Sequence, residues 1–149
     1  MTRDAYPVVL GLAVGALVLL AAQALALEVQ ITTVRAAEHG PSDAHLIELR
    51  PRLRRLVGYR SFQIVGEERR HCAWQTSEAF VIPGGRLLHV VPKAMRDQAV
   101  VMRVRLTDGA RALVDTDVRL QNRGVMLFGV DQDPGMTQGA LIIMLRAED

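Results

Sequence analysis

Apolar positions along the 149-residue chain follow three different patterns. The first has no period: Pro7 to Leu27 runs 21 positions with Gln23 as its only polar side chain and no charge. At about 1.5 Å of rise per residue, such a run reaches roughly 30 Å, the thickness of a bilayer's hydrocarbon core. It predicts a transmembrane helix over residues 7–27 that leaves residues 1–6 in the cytoplasm and exports residues 28–149. Arg3, offset by Asp4, stands ahead of the run, and no Lys or Arg follows it until Arg35. Ala24, Leu25 and Ala26 also form an A-x-A pattern, so a signal peptide cleaved after Ala26 is the competing reading. Either way the rest of the chain leaves the cytoplasm.

The second pattern has a helical period. Leu46, Leu49, Leu53 and Leu56 recur at intervals of three, four and three, which puts them on one face of a helix. Ser42 or Asp43 can cap it, after a turn-rich His39-Gly40-Pro41. Pro51 falls in mid-pattern, so it either kinks the helix or opens a second short one. The polar side carries Arg50, Arg52, Arg54 and Arg55, with Arg60 just beyond, the densest basic cluster in the chain.

The third pattern is alternation, the mark of strands. It begins in residues 28–37, where Val29 and Ile31 oppose Glu28, Gln30 and Thr32, and returns at residues 59–65 with Phe62 and Ile64 facing a core. Residues 78–83 and 86–92 flank Pro83-Gly84-Gly85, a hairpin signal. Residues 100–106 and 110–120 flank Asp108-Gly109, a dipeptide typical of tight hairpins. That hairpin places Arg103 and Arg105 on the same face as Asp115 and Asp117, so opposite charges can meet across the ladder. Asn122-Arg123-Gly124 turns the chain into a strand at 125–130, residues 131–139 make a loop, and residues 140–147 form the last strand. The unbroken apolar character of that strand means burial on both faces, or an edge that a partner covers. The fold class is therefore mainly β, an antiparallel sandwich or a partly open barrel. A strand and a short helix lead into about seven further strands.

Composition narrows the function. Half of the chain is hydrophobic, and 18 Lys and Arg balance 16 Asp and Glu, so it reads as a packed domain and not as a nucleic-acid binder. A single cysteine excludes an internal disulfide and a multi-cysteine zinc site. His39, His45, His71 and His89 lack ligand spacing. His71 and Cys72 are adjacent and would point to opposite faces of a strand, so no metal is expected. Cys72 sits in RRHCAW without a nucleophile elbow or a base placed beside it, and reads as a small core residue next to Trp74. No phosphate-cradling loop, cofactor motif or catalytic constellation appears, and the chain is expected not to be an enzyme.

Pro83 to Asp131, through GGRLLHVVPKA, VVMRVRLTDG, ALVDTDVRL and GVMLFGV, resembles in order and rhythm the β-rich C-terminal region of bacterial outer-membrane secretins. It covers about a third of the chain; only Gly129 stands where that family has two glycines, and the long membrane-inserting hairpins are absent. The resemblance implies a small secretin-like or secretin-associated β domain of the bacterial envelope; it does not imply a pore. The expected function is a non-catalytic accessory or scaffold subunit, held in the inner membrane through residues 7–27 and working by contacts with other envelope or membrane proteins. The alternative is a β domain that binds a lipid or another apolar ligand. Candidate contact residues are Arg50, Arg52, Arg54, Arg55 and Arg60, together with Leu141, Ile143 and Leu145 for strand-edge addition; a homo-oligomer is possible.

Overall fold

A computed structural model describes residues 26–131 and 139–149. The strands are β1 (Ala26–Ala37), β2 (Ser61–Ala73), β3 (Glu78–Ile82), β4 (Arg86–Arg96), β5 (Ala99–Asp108), β6 (Arg111–Gln121), β7 (Val125–Asp131) and β8 (Ala140–Glu148). A 3-10 turn, Ala44–Leu46, and one helix, α1 (Arg50–Val57), lie between β1 and β2. The strands make two four-stranded antiparallel sheets in the orders β2-β1-β8-β7 and β3-β4-β5-β6. Two separate sheets make a sandwich and not a barrel. The strand and helix at the start form no separate unit, because β1 lies inside the first sheet.

The pattern of burial follows from strand alternation. Leu27, Val29 and Ile31 of β1 and Leu141, Ile143, Leu145 and Ala147 of β8 meet Phe80, Ile82, Leu88, Val90 and Met102 of the facing sheet in one buried core. β2 carries an extra residue, Val65, where Thr33 stands opposite Gly66 and Val34 opposite Ile64, while β1 keeps its alternation unbroken against β8, so that Val34 and Ala36 point outward. There they form a second core with Phe62, Ile142, Leu46 and Leu53 beneath α1. The continuous apolar text of β8 is thereby explained: one face fills the space between the sheets, and the other lies under the helix.

Several expectations need correction. β8 pairs with β1 on one side and β7 on the other, so it is not an edge. The leucine periodicity splits: Pro51 sits in the first turn of α1, Leu46 belongs to the separate 3-10 turn that Asp43 caps, and Leu56 is exposed. β2 continues to Ala73, past the point where its alternation fades, because β1 supplies a partner along the whole length. The β5–β6 loop is Gly109-Ala110, one residue later than Asp108-Gly109, with Gly109 at φ +60° as the first loop residue. The charge ladder is present but shifted: Arg103 stands opposite Asp117 yet bonds Asp115 at 2.9 and 3.1 Å, while Lys93 takes Asp117 at 3.3 Å.

The expected span over residues 7–27 lies outside the described residues except at its end. Ala26 and Leu27 are strand, and Leu27 is wholly buried in the sandwich core. Among the described residues no helix is long and apolar enough to cross a membrane. Most of the loop expected at 131–139 also lies outside the described residues.

Candidate functional site: an arginine-walled groove beside a free strand edge

The arginine cluster owes its placement to how α1 is anchored. Leu53 is fully buried in the outer core, Leu49 and Val57 pack beside it, and the polar face of this eight-residue helix therefore turns to solvent. Gly58 adopts φ +74° at the C-cap and donates its N–H to the Arg54 carbonyl at 2.8 Å, while Arg54 and Arg55 lie in the last turn, where the helix dipole favours positive charge. Gly129 of β7 faces the helix: a Cβ there would meet Leu56 Cγ at 3.5 Å, an ordinary van der Waals contact.

Beside the helix runs an open groove of about 660 Å³. Its walls are Arg52, Arg55 and Leu56 of α1, the end of β6 from Arg119 to Gln121, and the start of β7 from Val125 to Leu127. Three guanidinium groups line it and, among the described residues, no carboxylate does. Arg52 donates to the Val125 carbonyl at 3.3 Å, and Arg119 reaches the Arg96 carbonyl and Asp97, each at 3.5 Å. Leu56 is 44% exposed, so the groove is apolar as well as basic.

The strand that borders the groove is itself unusual. β7 is last in the order β2-β1-β8-β7, and from Val125 to Val130 it carries no charged side chain. Met126 and Phe128 pack against the intersheet core and Leu127 against the outer core, yet all three stay only partly buried. In β8, next to it, Leu145 and Ile143, opposite Met126 and Phe128, are completely buried, while Met144, opposite Leu127, is partly buried. An uncharged apolar strand at a sheet edge presents unpaired backbone groups ready for another chain.

The sequence-derived residues are thus divided. Arg52 and Arg55 enter the groove; Arg50 and Arg54 are exposed on α1 outside it; Arg60 lies beyond the helix, 3.8 Å from Glu38. Leu141, Ile143 and Leu145 are interior and unavailable for strand-edge addition. Arg119, Leu56 and the β7 edge were not expected. The six uncharged residues of β7 were legible as a strand, but edge position depends on pairing between distant segments.

Cys72 is fully buried, and its removal from water, reinforced by the Glu78 carboxylate, pushes the thiol up to about 11 despite the opposing effect of Arg70. That disposes of a ready thiolate nucleophile. Among the described residues, no group of three His, Cys, Asp or Glu side chains could hold a metal ion. A smaller cleft of about 300 Å³ lies where the 3-10 turn stops covering the first sheet, and its polar rim mixes Gln30, Glu48, Glu67 and Arg146. Its charges oppose one another, unlike the uniformly basic groove. Comparison with family models, with curated proteins and with solved structures finds no match.

Proposed function

We propose that the protein is a non-catalytic accessory or scaffold subunit of a bacterial envelope assembly, tethered through the apolar run ahead of β1, residues 7–25, and acting by protein–protein contact at the arginine-walled groove. The observation that carries this reading is the convergence of Arg52, Arg55 and Arg119 with exposed Leu56 on an uncharged strand edge. Arginine beside apolar surface is the composition of protein interfaces, and Arg52 and Arg55, with Arg119 already reaching Asp97, favour a partner of opposite charge. Tethering in the inner membrane, with the β domain on the periplasmic or extracellular side, would confine the search for that partner to two dimensions. A β domain enclosing a lipid has less support, because Phe80, Leu88, Met102 and Ile143 fill the space between the sheets.

The test is recovery of the full-length protein from its native membrane in mild detergent, with the intact mass recorded on the same sample. Discrete partner proteins are expected with the wild type and are expected to be lost from the Arg52→Glu, Arg55→Glu double variant, whose circular dichroism should be unchanged. An identical partner set with the variant would exclude the groove as the contact surface. A mass lacking residues 1–26 would exclude the tether.

A further inference from the structure

The geometry points to the occupant of the groove: an extended acidic segment of a partner protein that pairs with β7 and becomes the fifth strand of the β2-β1-β8-β7 sheet. This rests on the protein-contact reading above and adds to it the conformation and residue pattern of what is bound.

Three observations converge. First, β7 has hydrogen-bonding capacity to spare on its outer side, since β8 is its only ladder partner among the described strands. Natural edges are guarded with charge, proline or bulges, and Val125 to Val130 has none of these: no charged residue, no proline, and an uninterrupted register against β8. Second, Met126 and Phe128 on the intersheet face and Leu127 on the outer face remain partly exposed, so an added strand would complete on the intersheet face the cover that Leu145 and Ile143 of β8 already have. Third, Arg52 and Arg55 project from the helix on the outer face of that sheet and Arg119 from the end of β6, which sets the sign of the occupant's charge.

Spacing then sets its pattern. Arg52 and Arg55 are three apart on a helix, which brings their Cβ atoms to about 5–6 Å. Side chains two apart on a strand share a face and lie roughly 6.7 Å from one another. An occupant with acidic residues at alternate positions places both carboxylates under the two guanidiniums, and its intervening apolar residues point inward beside Met126 and Phe128. Backbone pairing supplies the grip and the alternate side chains supply the choice of partner. A second copy of this chain is the poorer occupant, because it would bring three more arginines to a seam that has no acidic lining among the described residues.

The probes are a synthetic peptide of alternating valine and glutamate, its valine–lysine counterpart, and a peptide of the first composition with the glutamates in one block. The full chain in detergent is titrated with each, and amide hydrogen exchange is followed. The alternating acidic peptide is expected to bind and to slow exchange at Val125 to Val130. The blocked peptide should bind about tenfold more weakly or worse. In the Arg52→Glu, Arg55→Glu variant the preference should invert, with the lysine peptide binding and the glutamate peptide not; that reversal also shows the variant to be folded. Equal binding of the alternating and blocked peptides, or binding without protection of β7, would overturn the strand-pairing inference. If partner recovery from membranes still depends on Arg52 and Arg55 in that case, the groove remains the contact surface and only the mode of binding is wrong. Protection of β7 in the chain alone, rising with its concentration, would instead assign the edge to a second copy.

Discussion

Cys72 and Asp115 show how single side chains are tuned by their surroundings. Burial holds the Cys72 thiol protonated, so a thiol reagent at pH 8 should leave it unmodified in the folded protein and label it fully in urea; labelling at equal rates would contradict the packing around β2. Asp115 is an exposed carboxylate whose hydrogen bonds from Arg103 hold it below the usual carboxylate range. A pKa lowered by folding contributes stability that is fully present above the unfolded value of about 4 and is lost as pH falls through the folded value. Asp115→Asn should therefore lower the urea midpoint slightly at pH 7, and the difference should vanish in acid. The opposition of these charges was legible in strand alternation, and the choice of Asp115 over Asp117 was not. Lys93 of β4 takes Asp117 from two strands away, across β5.

At the scale of elements, α1 is held by few anchors. Its eight residues are too short to be stable alone, and its fixed position depends on Leu53 sitting among Val34, Phe62 and Ile142. Leu53→Ala should cost about 2–5 kcal/mol, measured by urea denaturation, and should release the arginines from the groove before the sandwich melts. A fully retained peptide affinity in that variant would mean that the helix does not position the site. Each strand could be read locally, since alternation, the Pro83-Gly84-Gly85 turn and the Asn122-Arg123-Gly124 turn are properties of short segments. What joined them was less legible. The bulge at Val65 of β2, the extension of β2 to Ala73 and the edge position of β7 each depend on a partner strand outside the local segment. Arginines in a row marked a basic surface, but only the path of β6 into β7 shows which of them face an apolar edge.

On the scale of the whole molecule, the two sheets differ in how the chain builds them. β3 to β6 are consecutive hairpins, while the other sheet joins β1 and β2 to β7 and β8, so that Ala36 pairs with Ala140. Local pairings form quickly and distant ones slowly, because the intervening chain must be closed first. The β3–β6 sheet can therefore take shape while the rest is still being made. β8 emerges after every other strand of both sheets, and it is the strand that both β1 and β7 require. A chain cut after Gly139 keeps every groove residue yet leaves β1 and β7 separated by an empty lane, and limited proteolysis should digest it where the full chain survives. Synthesis order thus becomes a check on completeness: the β7 edge, proposed above as the binding edge, is assembled only when the strand behind it has arrived, and an interrupted product would offer a protease substrate in place of a half-built competitor for the proposed partner.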